Sequence, residues 1–156
     1  MDYIYFVYGL SFILLATWTA LLDMRNQTLP WRWLALFGLL HGLNEWFDLL
    51  ALSLGDSAPF RMVRLTVLII SFLPLIEFGR RSLTHQGIET LEWWIYLPLL
   101  ALVALGGWDG INGLNAASRY ALALPGGLLT GWVLWQAAGT AEGQPRLGLQ
   151  LAATCM

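Results

Sequence analysis

The chain has 156 residues, 58% of them hydrophobic and only 12% charged, with a net charge of −2 and a mean hydropathy of +0.63. Because a soluble domain carries about 25% charged residues, this composition predicts an integral membrane protein. The eight basic residues are all arginines and form no basic run, so nucleic acid is not an expected partner. The single cysteine excludes an internal disulfide and a cysteine-ligated metal cluster.

Apolar stretches about as long as a membrane-crossing helix recur along the chain. They predict an all-α fold, a polytopic transmembrane bundle that forms one domain over residues 1–156. The five predicted full spans are about 3–22, 31–54, 62–78, 93–105 and 120–138. A further apolar segment, 147–156, predicts the start of a sixth span, because its ten residues reach only about half of the hydrocarbon thickness. We therefore expect the chain to be a piece of a longer protein.

The arginines orient the predicted bundle, because cytoplasmic loops are enriched in basic residues. Five arginines fall on one side of the predicted bundle and three on the other, which is a weak bias. It predicts that the N-terminus lies outside and the 80–92 loop inside. The first span lacks a basic leader and a cleavage site, so we expect it to remain in the membrane. Glu77 and Asp109 are interpreted as ordinary charges at span boundaries. The inner arginines are Arg25, Arg32, Arg80, Arg81 and Arg146, and the outer ones Arg61, Arg64 and Arg119.

Four polar side chains interrupt the second span within the sequence HGLNEWFDLL: His41, Asn44, Glu45 and Asp48. Offsets of 0, 3, 4 and 7 place them on one face of a helix, and we call them the polar stripe. An ionisable group inside a membrane costs about 2.5–3.5 kcal/mol, so such residues face a bundle interior. Two interpretations remain open: a site that senses a ligand, or a polar clamp that only holds helices together.

A short turn joins the second and third spans, which predicts a tight helical hairpin. If the turn centres near Asp56, residues whose numbers add to about 112 lie at the same depth on the two helices. Asp48 then faces Arg64, and Arg61 lies nearer the interface, where its side chain can extend to water. Because paired charges avoid the cost of lone buried ones, we predict an Asp48–Arg64 ion pair. Arg61 and Arg64 thus join the polar stripe in the candidate intramembrane site.

His41 beside Glu45 suits proton transfer, metal coordination or a hydrogen bond to a buried ligand. The other histidine, His85, falls in the predicted cytoplasmic loop, so a bis-histidine haem is disfavoured. The sequence contains no phosphate-binding loop, nucleophile elbow or metal-ligand spacing. We therefore predict that the chain itself is not an enzyme, that it has no catalytic or metal-binding residues and that it holds no cofactor.

Three segments, YFVYGLSFILLA, LALFGLLHGLNEWFDLL and SRYALALPGGLLTGW, carry a resemblance that covers nearly the whole chain. They resemble the multi-span N-terminal sensory region of bacterial sensor histidine kinases and diguanylate cyclases. The resemblance implies a bacterial inner-membrane protein with a periplasmic N-terminus, dimeric through its full-length form. It also implies cytoplasmic PAS, kinase or GGDEF modules that this chain does not contain. It names no ligand.

Three functions fit these observations. The first is a non-catalytic membrane input module that passes a stimulus to a cytoplasmic output domain. The second is a small binding or scaffold subunit whose polar stripe contacts a partner protein. The third is a carrier of protons or of a lipophilic solute such as a quinone, with His41 and Glu45 as the relay. Because the outer loops are short, the stimulus is expected to act within the membrane, and the expected partners are the lipid bilayer and a lipophilic ligand.

Overall fold

The computed structural model describes residues 2–25, 29–88 and 92–140, and these residues contain no β-strand. The prediction of an all-α fold is confirmed for this part of the chain. Short 3-10 turns at Trp93–Ile95 and Gly107–Asp109 flank the fourth helix, and a π-helical turn, Arg119–Ala123, joins the last two. The helices are α1 (Asp2–Arg25), α2 (Trp31–Leu54), α3 (Ala58–His85), α4 (Tyr96–Gly106), α5 (Gly110–Ser118) and α6 (Leu124–Thr140).

Three helical stretches among the described residues are long and apolar enough to cross a membrane: Tyr3–Arg25, Ala58–His85 and Trp93–Gly139. The predicted number of five full spans is therefore corrected. The polar stripe lowers the apolar character of α2, which is otherwise long enough at 24 residues. The predicted fourth and fifth spans, 93–105 and 120–138, are parts of one helical stretch. The predicted sixth segment, 147–156, lies outside the described residues.

Glycines bring α1 and α2 into close contact. Gly38 and Gly42 lie one turn apart on the α2 face that meets α1. A Cβ on Gly38 would lie 2.8 Å from the carbonyl oxygen of Phe12, and one on Gly42 would lie 2.9 Å from that of Gly9. Because these neighbours are backbone atoms, they cannot move aside for a side chain. The pair thus forms the small-residue contact typical of membrane helices.

The turn between α2 and α3 produces the predicted hairpin. Gly55 ends α2 with a φ of 93°, and the Ser57 side chain accepts a hydrogen bond from the Phe60 N–H at 3.4 Å. The hairpin register is also as predicted, since His41 contacts Ser71 across the two helices. The third span was predicted as 62–78, whereas α3 is longer at both ends, Ala58–His85. We call the end of the bundle at Gly55–Ser57 the turn end.

The chain reverses between α4 and α5. Gly110 adopts a φ of 66°, a left-handed conformation that favours glycine. The two helices then pack so closely that a Cβ on Gly113 would overlap the Gly106 carbonyl oxygen. With 11 residues, α4 is about 16 Å long, roughly half of the hydrocarbon thickness.

The last two helices lie beside α3 and run in the same direction. At the turn end, Ile111 and Arg61 line the same cleft. Further along, a Cβ on Gly126 would lie 3.1 Å from the Ile76 side chain. Residues about 50 positions apart are therefore neighbours, and this arrangement places α5 across a cleft from the polar stripe of α2.

Candidate functional site

The polar stripe faces the interior of the bundle. His41, Asn44 and Glu45 are buried, with 7%, 2% and 6% of their surfaces exposed. Asp48, one turn closer to the turn end, is half-buried. The spacing in the sequence thus placed the four side chains correctly on one face. It did not reveal which helices cover that face.

Two aspartates share the arginines of α3. Arg64 donates from Nη1 to Asp48 Oδ1 and from Nη2 to Asp56 Oδ2, the latter at 2.9 Å. Arg61 donates from Nε to the same Asp56 oxygen at 3.0 Å, and its side chain is 46% exposed. The predicted Asp48–Arg64 pair is confirmed. Asp56 was expected only as the centre of the turn, yet it completes a network of two carboxylates and two guanidinium groups.

His41 lies in an aromatic cage. Its ring centroid is 4.6 Å from that of Phe12 and 5.3 Å from those of Phe37 and Phe72. Nδ1 lies 3.1 Å from the Ser71 oxygen. Because the Ser71 hydroxyl donates to the Leu68 carbonyl at 2.7 Å, that oxygen accepts the Nδ1–H.

The other ring nitrogen of His41 faces a carboxylate. Nε2 lies 3.7 Å from Glu45 Oε1, longer than a normal hydrogen bond. A neutral ring whose Nδ1 carries the hydrogen presents a lone pair at Nε2, which an ionised carboxylate would repel. A favourable contact needs one further proton on either group. The pair is therefore suited to hold a proton.

A polar cleft of about 340 Å³ opens between α2, α3 and α5 at the turn end. Asn44 Oδ1 and Arg64 Nε are buried beside it and have no hydrogen-bond partner among the described residues. Buried polar atoms are normally paired, so these two indicate room for a polar molecule. The polar and charged side chains that line the cleft are Tyr5, Asn44, Asp48, Asp56, Arg61, Arg64, Asn115 and Arg119.

The polar character of the site ends at His41. Beyond it, towards the other end of α3, the ring centroids of Phe37 and Phe72 lie 6.5 Å apart and those of Trp31 and Phe78 lie 5.9 Å apart. All four side chains are buried. This aromatic layer separates the cleft from the polar groups at the opposite end.

A second polar cluster lies at that opposite end, around Glu77. Its carboxylate accepts hydrogen bonds from Arg80 at 2.7 and 2.9 Å, from Arg81 Nε at 2.5 Å and from the Tyr96 hydroxyl at 2.6 Å. The Arg81 guanidinium also lies 4.9 Å from the ring centroid of Trp33. The interpretation of Glu77 as an ordinary boundary charge is corrected, because this buried carboxylate joins α3 to α4 through Tyr96, and its partner Arg81 contacts α2.

Sequence reasoning missed the contribution of α5 to the cleft. Asn115 and Arg119 are four residues apart, a spacing that signals a shared helical face, but Asn115 lay in a segment read as a loop. No group of three or more histidine, cysteine, aspartate or glutamate side chains suited to a metal occurs in residues 2–25, 29–88 and 92–140. No protein-family profile matches the chain, and no curated protein or solved structure resembles it at a significant level.

Proposed function

We propose that the chain is a non-enzymatic input module of a bacterial inner-membrane signalling protein, which receives a stimulus in the polar cleft. One observation carries the proposal: the cleft is polar, lies at the turn end of the bundle, and contains two buried polar atoms that have no hydrogen-bond partner in the described part of the chain. Such a cavity is suited to bind a small polar group and to change when it does so. The resemblance to sensory regions supports the same conclusion, and the output domain it implies would follow this chain.

A physical route for the signal runs along α3. Its first turns carry Arg61 and Arg64, which hold the carboxylates of the cleft. Its middle contains Pro74, which lacks an N–H and therefore leaves one helical hydrogen bond unmade. Its last turns carry Glu77, which holds Tyr96 of the next helical segment. A ligand that rearranges the arginines can bend α3 at Pro74 and shift α4 through Glu77.

The carrier alternative finds less support. A carrier needs access to its site from both sides of the membrane, whereas the cleft is bounded by the aromatic layer below His41. The His41–Glu45 pair is suited to hold a proton, but the buried hydroxyls beyond it, Thr19 and Thr130, donate to backbone carbonyls of α1 and α3 and do not connect to the pair. The scaffold alternative would require a segment of the partner protein to enter the cleft between α2, α3 and α5.

The test is the signalling output of the complete gene product, measured as histidine phosphorylation or cyclic-di-GMP level. His41→Ala and Glu45→Gln are expected to change the output at unchanged expression and helical content. Glu92→Gln is the matched control, because it removes the same charge from an exposed residue far from the cleft. Unchanged output in both variants would reduce the polar stripe to a structural clamp.

A further inference from the structure

A shallow groove of about 660 Å³ runs along the outward face of α5 and the π-helical turn. Asn112, Asn115, Arg119 and Tyr120 provide its polar groups, and Ala123 and Leu124 continue it as an apolar track. Tyr120 and Leu124 are 75% and 56% exposed. A π turn inserts an extra residue into a helix and often marks a functional site. Here it begins at Arg119, where the polar part of the groove meets the apolar part.

Arg119 contacts an amide group of its own helical face. Its Nε donates to Asn115 Oδ1 at 2.9 Å, and the guanidinium makes no ion pair with a carboxylate of the described residues. The two terminal nitrogens thus remain available, and a guanidinium fork binds phosphate oxygens in a bidentate manner. By contrast, Arg61, Arg64, Arg80 and Arg81 each contact an aspartate or glutamate.

The polar and apolar parts of the groove lie along the bundle in the same order as the headgroup and acyl chain of a lipid. Arg119 lies beside Ile69 of α3, about three turns from the start of that helix, and its hydrogen bond to Asn115 directs the guanidinium back towards the turn end. From that depth an arginine side chain reaches the headgroup region. Leu124 lies further from the turn end, where the hydrocarbon of the bilayer would be. Arg119 and the neighbouring amide groups therefore complement an acidic headgroup, and the apolar part of the groove complements its acyl chain.

We propose that this groove binds an anionic phospholipid from the leaflet at the turn end. Arg119 binds the phosphate, Asn112 and Asn115 provide amide groups beside it, and an acyl chain lies along Ala123 and Leu124. The site requires that the chain lies in a bilayer, but it does not depend on the proposed signalling function.

The experiment is native mass spectrometry of the purified chain in detergent, titrated with phosphatidylglycerol or phosphatidylcholine of identical acyl chains. The wild-type chain is expected to bind phosphatidylglycerol more tightly. Arg119→Gln is expected to weaken that binding about fivefold, the usual effect of one basic residue on an anionic lipid, and to leave phosphatidylcholine unchanged. Arg25→Gln is the matched control, because it removes the same charge from an exposed residue at the end of α1.

Three outcomes would overturn the assignment: equal binding of both lipids, an equal loss in both arginine variants, or displacement of the lipid by millimolar inorganic phosphate. The first two would mean non-selective adsorption, and the third a site for a free anion. Ala116→Trp fills the groove at an exposed position without changing charge, and it is expected to weaken binding of both lipids. If Arg119→Gln fails to fold, the binding of lipid by Ala116→Trp provides the test of the groove.

Discussion

Arg64 donates hydrogen bonds to two carboxylates that belong to different segments of the chain. Asp48 comes from α2 and Asp56 from the turn, while the arginine itself belongs to α3. Its side chain is 19% exposed, so the pairs are only partly screened by solvent. Loss of the arginine leaves two partly buried negative charges, whereas loss of Asp48 leaves an arginine that still contacts Asp56.

This asymmetry predicts the outcome of a double-mutant cycle. Arg64→Gln is expected to lower the free energy of unfolding by about 2–3 kcal/mol, and Asp48→Asn by less. The double variant is expected to lose less than the sum, with a coupling energy of about 0.5–3 kcal/mol. Chemical unfolding in detergent measures all four proteins. Arg61→Gln serves as the control, since its exposed pair contributes about 1 kcal/mol or less. Additive effects would show that Asp48 and Arg64 act independently.

Glu77 gives a second prediction at the scale of single residues. Tyr96→Phe removes one hydrogen bond to a charged carboxylate and is expected to lower the free energy of unfolding by about 1.5–3 kcal/mol. Glu77→Gln removes the charge that Arg80 and Arg81 share and is expected to cost more. The same unfolding measurement tests both. A larger loss for Tyr96→Phe than for Glu77→Gln would mean that Arg80 and Arg81 are satisfied by water.

Among the elements, α1 depends most on one neighbour. Its packing is against α2, through contacts in which backbone approaches backbone at Gly38 and Gly42. Much of its remaining surface is apolar and exposed, including Ile4, Leu14 and Trp18. That surface is what lipid contact requires, and it leaves the glycine contact to set the distance between the two helices.

A pair of glycine substitutions tests this contact. Gly38→Ala is expected to destabilise the bundle by about 1–3 kcal/mol, because its methyl group would collide with backbone atoms of α1. Gly139→Ala is the control, since a Cβ there meets no atom of the described residues within 4 Å and alanine favours a helix. Thermal unfolding should show the loss in the first variant alone. Equal stability of the two variants would mean that α1 can move away from α2 without cost.

At the scale of the whole molecule, α3 separates two polar regions. The cleft and its arginines lie at one end, and the Glu77 cluster lies at the other, with the aromatic layer between them. With 28 residues, α3 is about 42 Å long, enough to cross the hydrocarbon core and extend beyond it. Its two ends are therefore expected on opposite sides of the membrane.

Cysteine labelling tests this arrangement. In a Cys155→Ser background, Ala58→Cys is expected to react with an impermeant thiol reagent in intact cells, and Gln86→Cys only after the membrane is opened. Both positions are exposed, so protection reports the membrane rather than burial in the protein. The arginine distribution predicts this orientation. A reversed pattern would invert the bundle, and labelling of both positions in intact cells would show that α3 does not cross the membrane.

The sequence by itself determined what depends on local spacing. The helical class, the boundaries 31–54 of α2 and the shared face of the polar stripe follow from hydrophobic length and helical periodicity. The Asp48–Arg64 contact was predictable because a short turn fixes the register of two adjacent helices. The lengths of the remaining helices were less predictable. α3 continues past Arg80 and Arg81, which were expected to end the membrane span, and both arginines contact Glu77 about one turn earlier in the same helix.

Only the tertiary structure decided which distant segments meet. The reversal at Gly110 packs α5 back against α4, and the path of α5 along α3 brings Asn115 and Arg119 to the cleft. Nothing in the spacing of these residues specifies a partner 50 positions earlier in the chain. Local periodicity determines which face of a helix is polar, whereas the neighbour of that face depends on how all the helices pack against one another.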